Sequence, residues 1–323
     1  VELLAESKGD EILVHYLLHL KKEHDFWMRG LSSNKGEKSI ERVVSLSDNT
    51  SLNRYHDNTP IPRQEMYQYD VDDHEKSGRD ASEFYLDVRS ACESGWDFSV
   101  RWFEEIDNFL TIKTSEILPV DLNCLLFQLE KTIAKALYLK GNSVEADKYG
   151  NLATQRAKSI LSVFWNEEEK YFFDFNFKKG TQTDRLTLGG MYPLFFNIAS
   201  ASQAENCAKK IEKHFLKDGG VVSTPYNSGQ QWDAPNGWAP LQWITVKGLL
   251  NYGHNDLALE IANRWLRLNE NVFKRTGKMM EKYNVEDLNL LAGGGEYEGQ
   301  AGFGWTNGVY LKMLEVVNKK NIN

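Results

Sequence analysis

The sequence holds little cysteine, lacks any long apolar run and has no surplus of basic charge. Its three cysteines, Cys92, Cys124 and Cys207, are odd in number, far apart and form no CxxC pair, which excludes a disulfide framework. A reducing compartment is the simpler expectation. No apolar stretch approaches the ~18 residues of a membrane span. Lys and Arg number 38 against 46 Asp and Glu, a formal net charge of -8, so the clustered cations that nucleic acid or an anionic membrane needs are not there. The first six residues, Val-Glu-Leu-Leu-Ala-Glu, have no basic region, apolar core or cleavage site and so do not read as a secretory leader. These absences predict a cytoplasmic protein, with a periplasmic or secreted one as the alternative, and neither nucleic-acid nor membrane partners.

Several chemistries are missing as well. There is no GxxxxGK[ST] loop, no GxGxxG after a strand and no GxSxG elbow, which removes the usual signals of nucleotide binding and of a serine hydrolase. His15 and His19 stand four residues apart, but no Glu follows His15 and no third ligand is evident, so they read as polar-face residues of a helix. Neither a metal nor an organic cofactor is expected.

What is present is a globular composition, 41% hydrophobic and 12% aromatic. Ile12, Leu13, Tyr16, Leu17 and Leu20 recur at helical spacing, as do Leu125, Leu126, Leu129, Ile133, Ala136 and Leu137. Similar patterns predict helices near 143–164, 184–200, 203–216, 239–252, 256–273 and 303–318, with Pro193 interrupting the second of these. Strand signals are confined to 171–177 and 221–224. With no linker composition and no internal repeat, 1–323 is expected to be a single all-α domain, its antiparallel helix pairs arranged as a closed toroid.

The chemically distinctive residues fall outside these patterns. The segment 230–243, Gln-Gln-Trp-Asp-Ala-Pro-Asn-Gly-Trp-Ala-Pro-Leu-Gln-Trp, interleaves tryptophans with amides, a carboxylate and prolines. Its front reads as an ordered loop, because Pro235 breaks a helix and Gly237 loosens one. Indole faces and planar amides suit a sugar; a Trp-rich corner of the core is the alternative. Carboxylates beside Trp and Gly are the ingredients of glycoside hydrolysis, in which one acid protonates the leaving oxygen and a second carboxylate activates water or attacks carbon. Asp97, between Trp96 and Phe98, suits the acid, since apolar neighbours favour a protonated carboxyl. A helix-start carboxylate or an i,i+4 partner of Arg101 fits Asp97 equally well. For the second carboxylate Glu281 and Glu296 compete. A surface position beside Lys278 and Lys282 suits Glu281, while three glycines before Glu296 allow close backbone approach to a ligand. Arg63 can grip hydroxyls, hold Glu65 or form a surface ion pair.

Taken together, these segments resemble the inverting trehalases, the glycoside hydrolases that split α,α-trehalose into two glucoses. Residues 230–243 match that family's QWDxPxGWAP signature, 93–102 its ESGWDFSxRW segment, 117–125 its (I/L)PVDLN segment and 281–283 its EKY element. Residues 293–297 and 302–308 resemble its GGGEY and GFGWTNG elements. The resemblance implies an (α/α)6 toroid with Asp97 as general acid, Glu281 as general base and Glu296 as a substrate-contacting carboxylate. It also implies substrate contacts at Arg63, Gln64, Glu65 and Gly95, with Gln64, where Pro is common, acting through its backbone. Gln231 and Trp232 fall in the substrate-facing signature loop. The family's PGGRF-type signature and RSQPP-like stretch have no counterpart here, so the chain resembles the last two-thirds of a trehalase catalytic domain without the first helices of the ring. The apolar faces so exposed call for a covering segment or second polypeptide. A non-catalytic sugar-binding or structural fragment is the rival expectation.

Overall fold

The computed structural model describes residues 1–30, 39–46, 50–292 and 299–320. Among these residues run eleven α-helices: α1 (Glu2–Lys8), α2 (Glu11–Trp27), α3 (Tyr67–Ser77), α4 (Ala81–Ser94), α5 (Val120–Leu139), α6 (Ser143–Phe164), α7 (Tyr192–Phe195), α8 (Ala201–Lys210), α9 (Ala239–Asn251), α10 (Asn255–Thr276) and α11 (Gly304–Lys320). Helix packs on helix along the chain: α2 on α5, α5 on α6, α7 on α9, and α9 on α10 and α11. Phe84, Val88, Leu122, Leu126, Ile160, Leu241 and Leu249 carry one continuous core across these elements, while Leu13 and Leu17 of α2 join Ile133 and Leu137 of α5 in a smaller cluster.

The periodic stretches at 11–27, 143–164, 239–252 and 256–273 are helices as expected. Pro240 sits in the first turn of α9, where its missing N–H costs nothing. The helix expected over 184–200 is not formed. A 3-10 turn at Leu188–Met191 leads into the four-residue α7 instead. Gly190 shows why: a Cβ there would lie 2.4 Å from Tyr171 Cε1 and 2.6 Å from the Phe172 carbonyl oxygen, so the backbone itself packs on that segment.

Sequence patterns passed over α3 and α4. Of the two, α3 is strongly polar, with Asp70 its buried residue. In α4, Phe84, Val88 and Ala91 share a buried face, and Asp80 caps the helix by accepting from the Ser82 and Glu83 amides. Strands are two or three residues long. The pair that matters runs antiparallel, Asn236–Trp238 against Lys282–Asn284, with Gly237 opposite Tyr283 and Trp238 opposite Lys282.

Candidate active site

The segment carrying Asp97 begins where α4 ends. Gly95 takes a left-handed φ of 76°, which an L side chain resists, and its amide closes on the Cys92 carbonyl at 3.1 Å. The chain then reverses, Trp102 Nε1 donating to the Trp96 carbonyl at 2.9 Å. Asp97 is half-buried. It does not start a helix, because the next helical turn opens at Val100 with Ser99 as its cap. Nor is it the partner of Arg101. That guanidinium is buried between Asp121 (2.7 and 2.9 Å) and Asp174 (2.7 and 3.0 Å), and its pKa is held well above the ordinary value. Burial opposes the charge, and the two carboxylates overcome that penalty.

Glu281 lies at the mouth of the strand Lys282–Asn284. Its amide donates to the Gln300 carbonyl at 2.8 Å and its carbonyl accepts from Trp305 Nε1 at 3.2 Å. The surface reading fails for Glu281, which is 3% exposed. Lys282, 1% exposed, donates from Nζ to Glu281 Oε2 at 3.0 Å and to Gln231 Oε1 at 3.0 Å. Gln231 Nε2 donates in turn to the Asp97 carbonyl. A second cross-link parallels this one, the Trp232 amide donating to the Phe98 carbonyl at 3.1 Å. The fold therefore joins the Asp97 and Glu281 segments through the signature loop.

The tryptophans of that loop are core. Trp232 stacks on Trp238 at 3.8 Å with an interplanar angle of 2°, and on Trp96 at 5.3 Å and 20°. Trp305 meets Trp238 edge-on and remains 37% exposed. The core-corner reading thus describes Trp232 and Trp238, while Trp305 stays partly exposed at their edge. Asp233 is fully buried and accepts from Ser99 Oγ, the Val100 amide, Thr224 Oγ1 and Ser228 Oγ. Those donors stabilise its carboxylate, but burial outweighs them and pushes its pKa up.

Arg63 is buried and paired bidentately with Asp70, at 2.6 to 3.2 Å, rather than with Glu65 or at the surface. Its guanidinium carbon lies 5.1 Å from the Phe98 ring centroid, next to Asp97. Gln64, Glu65 and Gly95 are exposed. Glu296, with 293–297 as a whole, lies outside the described residues. A cavity of about 410 Å³ lies beside this cluster, bordered by Met66, Tyr69, Phe98 and Gln230. Sequence reasoning missed Lys282 and Asp70; the one detectable signal was Lys282 inside the EKY element. His15 and His19 are exposed on α2, and among the described residues no His, Cys, Asp and Glu group is arranged to hold a metal.

Solved structures of low identity share the architecture. Neutral trehalase Nth1 from Saccharomyces cerevisiae superposes with a TM-score of 0.66 at 23% identity, over 90% of this chain and 56% of its own. The GH63 mannosylglycerate hydrolase from Thermus thermophilus gives 0.58 at 16% identity, over 96% and 70%. The fold class is an (α/α)6 toroid. The family model Trehalase matches residues 1–318, and the chain belongs to the trehalase family. A periplasmic trehalase of Salmonella newport (strain SL254) is 45% identical over 318 residues, 98% of this chain and 56% of that protein. Its counterpart from Salmonella schwarzengrund (strain CVM19633) is 44% identical over the same span. The chain thus spans a little over half the length of the curated relatives it matches. Their names overturn the cytoplasmic expectation: few cysteines and a first segment without leader features do not specify a compartment. No described helix is long and apolar enough to cross a membrane.

Proposed function

We propose that the protein to which this chain belongs hydrolyses α,α-trehalose to two glucose molecules with inversion at the attacked carbon. Asp97 gives its proton to the glycosidic oxygen as the C–O bond breaks. Glu281 takes a proton from the water that attacks the anomeric carbon from the opposite face. Arg63, Gln64, Glu65, Gly95 and Glu296 contact the sugars, Gln64 through its backbone. Gln231 and Trp232, buried behind these residues, support the site from the core.

The observation that carries this reading is the hydrogen-bonded bridge that couples the Asp97 segment to the Glu281 carboxylate through Gln231 and Lys282. Two segments distant in sequence are thereby tied together, and an acid–base displacement by the carboxylates they carry needs such a tie. The names of the relatives support both the substrate and a periplasmic location.

The test is proton NMR of a fresh hydrolysate made by the full-length protein. One α- and one β-glucose per trehalose are expected. Two α-glucoses overturn inversion, and turnover of maltose or kojibiose in preference to trehalose overturns the substrate. Recovery of the protein with periplasmic markers on fractionation checks its location.

A further inference from the structure

We propose that Gln231 and Lys282 are positioning residues, a buried bridge that sets the placement of Asp97 relative to Glu281 and on which turnover depends. The proposal rests on the hydrolytic reading above.

An ammonium and an amide taken out of water each cost free energy unless their bonding capacity is met, and an apolar pair fills the same space without that cost. Both residues are nonetheless almost fully buried, at 0% exposure for Gln231 and 1% for Lys282. Lys282 Nζ places one bond on Glu281 Oε2 and another on Gln231 Oε1, each of 3.0 Å, and lies 5.2 Å from the Trp238 ring centroid.

The direction of the Gln231 amide follows from this contact. An ammonium has only donors to offer, so the amide must present Oε1 to Lys282, and Nε2 is left facing the Asp97 carbonyl. A flipped amide would oppose donor to donor on one side and acceptor to acceptor on the other.

Both ends of the bridge are themselves anchored. The Gln231 carbonyl accepts from Trp238 Nε1 at 2.9 Å and from Asn236 Nδ2 at 3.2 Å. Lys282 stands opposite Trp238 in the antiparallel strand pair. Movement at the Glu281 end is therefore transmitted to the Asp97 backbone. In trehalose hydrolysis the proton leaves Asp97 as Glu281 accepts one, so a small error in their spacing falls on the transition state rather than on sugar binding.

The experiment uses the full-length protein and the variants Q231M, K282M, K282R and Q231M/K282M, with kcat expressed per folded molecule. K282M is expected to lower kcat about 100-fold, the scale of misplacing a reacting group by about 1 Å, with KM changed less than about threefold. K282R, which keeps the charge and two donors, is expected to recover about tenfold of that loss. Because the bridge acts as one unit, the double variant should be no worse than K282M. A lowered melting temperature with kcat within about twofold of wild type marks a merely structural pair and overturns the proposal. So does a multiplicative loss in the double variant. Should K282M fail to fold, Q231M, which leaves every charge in place, carries the same comparison of kcat with KM.

A wild type inert on trehalose overturns the hydrolytic reading instead. Crystal structures of Q231M and K282R then decide the bridge: displacement of the Asp97 backbone relative to Glu281 supports it, and an unmoved pair refutes it.

Discussion

Arg101 and Asp121 meet through two parallel bonds of 2.7 and 2.9 Å, which fasten the reversing segment after α4 to the first turn of α5. Asp174 takes the other side of the guanidinium and also accepts from the Val120 amide at 2.9 Å. Two of the family's sequence segments are thus halves of one buried ion cluster, four residues beyond the candidate acid. Asp121→Asn leaves the buried guanidinium one charge short, and removing one member of such a pair costs about 3–5 kcal/mol. The urea midpoint should drop accordingly, and an unchanged midpoint would show the cluster to be dispensable.

Asp97→Asn and Glu281→Gln change charge with little change of shape. Each should lower kcat on trehalose by at least about 10³-fold, within the range expected for losing a general acid or base. The melting temperature of the Asp97 variant should stay within a few degrees of wild type, because the change opens no cavity, whereas Glu281→Gln, which removes the carboxylate that the buried Lys282 ammonium bonds, should also lower stability. A variant that keeps near-full activity removes its residue from the catalytic pair.

His56 titrates at about 4 instead of 6.5, lowered first by burial and then by the Arg54 and Arg42 charges. A depressed folded value means that, between about 6.5 and 4, the unfolded chain takes up a proton that the folded chain refuses. The contribution of His56 to stability is therefore present above pH 6.5 and is lost as pH falls toward 4. His56→Gln should flatten the decline in urea midpoint across that window. A wild type and variant with parallel pH profiles would contradict this account.

Gly190→Ala places a methyl group 2.4 Å from Tyr171 Cε1 and 2.6 Å from the Phe172 carbonyl oxygen. The carbonyl belongs to backbone and cannot swing aside, so overpacking should cost about 1–3 kcal/mol. Differential scanning calorimetry would register the loss, and a neutral effect would mean that α7 can shift off its neighbour.

Helices with a strong apolar stripe were legible in the chain itself. α2, α6 and α10 follow the spacing of their hydrophobic residues, because an amphipathic face has one energetically good way to be buried. α3 and the 184–200 region were not legible for opposite reasons. α3 has scarcely any apolar face of its own, and the helical pattern at 184–200 yields to a backbone packed against residues 171–172. At the site, motif identity pointed to Asp97 and Glu281. Residue type alone left Trp232 between a sugar-stacking face and a core corner, and Arg63 between sugar hydroxyls, Glu65 and a surface partner; the fold puts Trp232 in a tryptophan stack and pairs Arg63 with Asp70.

By itself the sequence determined the family, the helical class and the two candidate proton-transfer groups, because these are written in local residue type and order. Only the tertiary structure decided that Lys282 lies buried against Glu281, that Gln231 spans from there to Asp97, and that Arg101 belongs to Asp121 and Asp174 rather than to Asp97. The physical reason is that these are pairings of buried charges and amides distant along the chain. Residue type says that such a group must find a partner when it leaves water, and the packing of helices and strands determines which partner is within reach.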